Sequence, residues 1–127
     1  MASGPAAELP AYMQAFATRL SIAREWAHFL GQYPLVLGPV STRQPFAAGW
    51  DVSGAHAPGE LFANLSLVVA VNLLGLPSLA LPVGVANGLP QGVQIIGNRY
   101  REDLCLAAGQ EIEERLGVVT PVDPYAP

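Results

Sequence analysis

Apolar residues recur at Met13, Phe16, Leu20, Ala23, Ala27 and Leu30. They lie three or four positions apart, the spacing of one face of an α-helix. Arg19, Arg24 and Glu25 fall on the wet side. Pro10 suits the opening of such a helix, because its missing N–H is not needed in a first turn. Gly31 reads as a stop. The pattern predicts a helix over about 10–30. Next comes "YPLVLGPV", residues 33–40, a short apolar run closed by Gly-Pro that predicts a buried strand ending at a turn. Residues 41–58 carry Pro, Gly, Ser and the segment "PFAAGW", and predict a loop longer than most connections. Loops of that length often serve binding sites.

From Glu60 to Leu74 the helical spacing returns, at Leu61, Leu65, Val68, Val69 and Leu73, with Gly75 behind it. This helix is apolar nearly all round, which predicts burial on most sides. Ser78 to Val83 and Gln91 to Ile96 are strand candidates. Asn87-Gly88 between them is a strong tight-turn signal, so the two strands read as a β-hairpin. Pro82 cannot donate to a ladder and belongs at an edge, a bulge or a strand end. Arg101 to Leu116 is the clearest helix, with Glu102 and Asp103 at the end where the helix dipole favours anions. Leu104, Ala108, Ile112 and Leu116 form its apolar face, Glu111 and Arg115 make an i,i+4 pair, and Gly117 stops it. Residues 118–127 form a Pro-rich tail. The order predicts an α/β fold: a mixed β-sheet with flanking helices, in one domain or fragment over 1–127.

Charge changes this picture in one place. Leu61 to Asn98 contains no Asp, Glu, Lys or Arg, a run of 38 residues. A spanning helix needs about 20 continuous apolar residues. Pro77, Pro82 and Pro90, Asn64 and Asn72, and two turns divide the run, which excludes a membrane segment. The chain has 127 residues, of which 51% are hydrophobic and 13% charged. Ordinary domains carry about a quarter charged residues. So sparse a surface suits a piece of a larger body whose faces other polypeptide covers. The net charge is −4, with six Arg and no Lys, so no basic patch invites nucleic acid or anionic lipid. The single Cys105 makes no intrachain disulfide. The opening residues lack the basic and apolar regions of a secretory signal, and a cytoplasmic protein is the expectation.

Candidate chemistry is sparse. Asp51, Ser53 and His56 lie within six residues, but triad members need only meet in space, and no Gly-x-Ser-x-Gly elbow surrounds any Ser. A polar loop is the simpler reading. Two His and one Cys offer no metal-ligand spacing, so no metal is expected. The glycines of 84–97 match neither a dinucleotide nor a P-loop pattern, so no cofactor is expected; they suit hairpin and bulge geometry. Glu111, Glu113 and Glu114 read as a solvated helix face, and Cys105 as a small core residue.

Residues 72–117 carry more. Asn72, Gly75-Leu76-Pro77, the apolar strand to Pro82-Val83-Gly84, Gly88-Leu89-Pro90, the segment Gly92 to Gly97 and the helix behind it follow one another in order. This succession resembles the C-terminal part of amidase signature enzymes. Residues 10–50 resemble the preceding helix and strand of that family more loosely. The resemblance implies the last strands and helices of a large α/β/α sandwich. It also implies hydrolysis of a small-molecule amide by a Ser–cis-Ser–Lys triad in the complete enzyme. This chain has no Lys, no Ser-Ser pair and no Gly-Gly pair, so no catalytic residue carries over and the chain alone is expected to be inactive. In the family, the loop after the strand at 34–38 approaches the site. That makes Pro39, Val40, Ser41 and the 43–50 segment the substrate-pocket candidates, with Phe46 and Trp50 as its apolar contacts. The expected partner is the remainder of an amidase fold. Two other readings stay open: a non-catalytic module that self-associates or binds a partner through its apolar faces, and an independent hydrolase using Asp51, Ser53 and His56.

Overall fold

The computed structural model describes residues 8–54 and 57–117. The predicted 118–127 tail lies outside the described residues. Helix α1 spans Leu9–Gln32, with Pro10 in its first turn as expected. It runs through Gly31. The stop is Pro34, which forces the residue before it out of the helical region: Tyr33 sits at φ −119, ψ 91, and its N–H still reaches Phe29 O at 2.9 Å. Strand β1 follows at Leu35–Pro39.

The helix predicted over 60–74 is two helices, α2 (Ala57–Asn64) and α3 (Ser66–Leu74), bent by 73° at Leu65. The cause is a captured acceptor. The Asn64 carbonyl accepts the Thr42 N–H at 3.0 Å, and Asn64 Oδ1 accepts from the Thr42 hydroxyl at 3.2 Å. A carbonyl turned out to a neighbouring segment interrupts the helical ladder, and helices bend where it is interrupted. No single described helix is long and apolar enough to cross a membrane. Helix α3 closes on Gly75: the Leu76 N–H reaches Val71 O at 3.2 Å and the Gly75 N–H reaches Asn72 O at 3.2 Å. Its last carbonyls also accept from two guanidinium groups, Leu73 O from Arg19 and Leu74 O from Arg99 at 2.7 Å. These contacts pin α1 and the segment after the sheet to one helix end.

The hairpin is β2 (Ser78–Ala86) and β3 (Leu89–Gly97), longer than predicted. Asn87 at φ 53 and Gly88 at φ 76 form the two-residue turn with both residues left-handed, a conformation that Asn and Gly tolerate best. The register slips between Pro82↔Gly92 and Gly84↔Gln91, so Val83 is the extra residue of a bulge beside Pro82. The sheet order is β1-β3-β2, and both described pairings are antiparallel.

Register assigns the two faces. Leu37, Ile95 and Leu79 lie side by side on one face; Gly38, Gln94 and Ala80 lie side by side on the other. Helix α4 (Glu102–Leu116) covers the first. A side chain at Gly109 would run into Leu79, and one at Gly97 would meet Cys105 Sγ at 2.8 Å and Arg101 O at 3.2 Å, so both glycines exist for close approach. The deepest α4 positions are Cys105 and Gly109, beside the predicted stripe, and Leu116 is exposed. Burial pushes the Cys105 thiol above its ordinary value, with Glu102 and Asp103 acting in the same direction. At the start of α4 the Arg101 guanidinium meets Asp103 at 2.9 and 3.0 Å.

On the other face Leu67 of α3 reaches Gly38, and α1 packs on α3. The order of layers is therefore helix, sheet, helices. The core is Leu81, Ile95, Ile96 and Cys105 around the sheet, with Leu30, Val71 and Leu74 at the helix contact. Two apolar surfaces stay bare. Of α1, only Leu30 is buried, while Phe16 and Leu20 are 44% and 52% exposed. The predicted burial of 60–74 on most sides holds at Val71 and Leu74 but not at Phe62 or Leu73, which are exposed.

Candidate substrate pocket

A cavity of about 480 Å³ opens where β1 ends, on the α3 side of the sheet. Its floor is the start of β3, Pro90 to Gly92. Gly92 allows this because a side chain there would meet Leu81 O at 3.3 Å and Val40 Cγ2 at 3.9 Å. One wall is the α2–α3 bend, with Leu61, Asn64 and Leu65. The facing wall is the long loop, with Val40, Ser41, Phe46 and Trp50.

Local bonds hold that loop in place. Thr42 is fastened to Asn64 as above, and Gln44 Nε2 donates to Ala86 O at 2.9 Å, tying the loop to the hairpin tip. The Ser41 hydroxyl oxygen accepts the Arg43 N–H at 3.2 Å. Gly49 at φ 79 turns the chain into a short 3-10 turn, Trp50–Val52. That turn returns the Trp50 ring against Phe46, with centroids 5.2 Å apart and planes at 43°. Such tilted pairs add about 0.5–1.5 kcal/mol beyond their area.

Of the expected pocket residues, Val40, Ser41, Phe46 and Trp50 line this cavity together. Pro39 does not: it pairs with Val93 on the α4 face, and the strand's alternation turns it away. Arg43, Gln44 and Pro45, inside the expected 43–50 segment, line it too, whereas sequence reasoning missed Glu60 and Asn64, which add polar groups to the lining. The only signal was Asn64 interrupting an apolar helix. Asn72, the other interruption, keeps its side chain within α3, donating to Val68 O at 2.9 Å. Of the polar loop set, Ser53 Oγ donates to Trp50 O at 2.6 Å, and His56 lies outside the described residues. Among the described residues no three of His, Cys, Asp and Glu come together to hold a metal ion.

The Amidase family model matches residues 3–106. The chain belongs to the amidase family. The indoleacetamide hydrolase of Bradyrhizobium japonicum is 41% identical over 113 residues, covering 88% of this chain and 24% of that protein. A glutamyl-tRNA(Gln) amidotransferase subunit of Natranaerobius thermophilus is 32% identical over 107 residues, covering 84% of this chain and 21% of that protein. Among solved structures, the corresponding amidotransferase subunit of Thermotoga maritima superposes with a TM-score of 0.74 at 29% identity, over 84% of this chain and 23% of that one. The chain thus spans about a quarter of the length of the amidase relatives it matches. The fold is theirs: antiparallel strands between helix layers, as part of a larger body.

Proposed function

We propose that these residues form the C-terminal sheet and one side of the substrate pocket of an amidase that hydrolyses an amide C–N bond. The nucleophile and base come from polypeptide outside the 127 residues, since no Lys stands among them. The observation that carries this reading is the cavity itself, where the long loop, the α2–α3 bend and β3 converge inside a family segment. Its chemistry is that of binding, not bond breaking. Phe46 and Trp50 offer an aromatic wall, and Arg43, Asn64 and Glu60 offer polar contacts near it. We assign the substrate as an amide with an aromatic acyl group, in keeping with the 41% identical indoleacetamide hydrolase. Holding such a group where an outside nucleophile can reach it is the positioning part of catalysis. The free, buried Cys105 suits a reducing compartment, and the cytoplasm is part of the proposal.

Co-expression tests the reading. The B. japonicum hydrolase with its matching quarter deleted is produced with and without this chain, and indoleacetamide turnover is measured. The proposal expects turnover only when both are present, and a roughly tenfold loss of kcat/KM in Trp50→Ala, since one good aromatic contact is worth about 1.4 kcal/mol or more. No turnover from the pair, or full turnover by this chain alone, contradicts it.

A further inference from the structure

The two open edges of the sheet are not alike. The strand order β1-β3-β2 leaves β1 and β2 with one partner each among the described residues. The β2 edge carries devices that close an edge to further pairing: Pro82 within the strand and the bulge at Val83 beside it. The β1 edge carries neither before its last residue. Its register with β3 is unbroken from Leu35↔Gly97 to Pro39↔Val93, and its only proline, Pro39, ends it. No Asp, Glu, Lys or Arg stands between Glu25 and Arg43 to keep other polypeptide away. The helix layers are also offset. Helix α4 packs on β2 and β3. On that face Leu37 of β1 is 62% exposed, although Ile95 beside it is 2% exposed. On the opposite face the bare positions are Ser78 and Ala80 of β2, both small. One bare end of the sheet is thus bulky and apolar, and the other suits water. A flat, uncharged, uncovered edge is a template for a further strand.

We infer that β1 is the seam of the complete enzyme: a strand of the amidase polypeptide outside these 127 residues pairs with its free edge, and an apolar element of that polypeptide packs beside α4 over Leu37. This inference rests on the proposed function, which supplies the occupant. Coverage points to that occupant. The matched 113 residues are 24% of the B. japonicum hydrolase, so about three-quarters of that protein lies elsewhere. Main-chain hydrogen bonds give such a pairing its affinity, and the side chains beside Leu37 its selectivity. The pocket lies at the end of this seam, because β1 runs directly into Val40 and Ser41, which line the cavity. Neighbouring strands lie about 4.8 Å apart. A strand along β1 therefore brings outside backbone within a side chain's length of the pocket wall, where the nucleophile and base have to arrive.

Two readouts test the seam, both with the B. japonicum hydrolase lacking its matching quarter as the probe. Leu37→Lys places a charge where the apolar element would lie. Val85→Lys, at a 61% exposed position of β2, places one at the other edge. On co-expression, Leu37→Lys should co-purify about tenfold or more below the wild type, because an unpaired charge is costly to bury. Val85→Lys should stay within about twofold of the wild type, as surface substitutions do. Hydrogen exchange then reads the backbone. Alternate amides of an edge strand point away from its one partner. The outward amides of β1 should exchange fast in the chain alone and gain about tenfold or more protection in the combination. Side-chain docking over Leu37 without a paired strand would leave them fast. Equal co-purification of Leu37→Lys and wild type, or a larger loss with Val85→Lys, overturns the inference. So do outward β1 amides that stay fast in a pair that co-purifies, and the proposed function survives each of these results. The exchange measurement uses the wild-type chain, so it decides even where Leu37→Lys fails to fold. A wild-type chain that fails to co-purify overturns both.

Discussion

The hairpin with α4 and the long helix α1 are both apolar, yet they stand in opposite circumstances. In the hairpin, Ile95 and Ile96 are 2% and 0% exposed, with α4 packed on one face of the sheet and Leu67 of α3 reaching Gly38 of β1 on the other. In α1, an apolar stripe ends bare: Leu9, Met13, Phe16 and Leu20 are all exposed, and only Leu30 is buried. The lesson is that periodicity decides which face of an element is apolar, whereas burial needs a second element. The hairpin has one within this chain. Helix α1 has one only along the part that meets α3, and bare apolar surface of that extent marks a site of interaction.

Paired substitutions put the largest strain on this comparison. Ile96→Ala should cost about 3 kcal/mol in urea unfolding of the chain, the usual effect of truncating a fully buried aliphatic residue. Phe16→Ser should cost under about 0.5 kcal/mol in the same assay, as at other exposed positions. Equal costs would erase the difference between the regions. A smaller effect, about 2 kcal/mol, is expected of Gly97→Val, whose side chain would press on Cys105 Sγ and on the immovable Arg101 carbonyl. An unchanged urea midpoint would mean that α4 packs more loosely than described.

The smallest effect concerns pH. The Arg101 guanidinium, by hydrogen bonding first, holds the Asp103 carboxylate below the usual carboxylate range. A folded value below the unfolded one means that the unfolded chain binds the proton more readily. The contribution is therefore present above the ordinary carboxylate value and is lost as pH falls through the folded one. Both side chains are largely exposed, so acid unfolding of Asp103→Asn should differ from wild type only slightly, and only on the acid side. A large difference at neutral pH would contradict this.

What was legible in the sequence divides along the same line. The hairpin could be read because its cause is local: Asn87-Gly88 demands a left-handed pair, and Pro82 demands a bulge or an edge. Helix α4 could be read from its spacing and its acidic start. The bend at Leu65 could not, because it depends on Thr42, 22 residues away, capturing the Asn64 carbonyl. The pocket candidates were legible through family resemblance as a segment, but which face each residue takes was not. The alternation of β1 sends Pro39 to one side, while Val40 meets the cavity on the other. Glu60 gave no signal, since a charged residue in an early helical turn reads as solvated surface.

Hydrogen exchange of the chain, alone and combined with the truncated B. japonicum hydrolase, tests the central claim most directly. That claim is that α1 and the pocket loop are half-surfaces completed by the rest of an amidase fold. It predicts that β2 and β3 amides are protected in both samples, while α1 and residues 41–52 gain protection of about tenfold or more only in the combination. Equal protection of α1 in the chain alone, with no gain on combination, would contradict it.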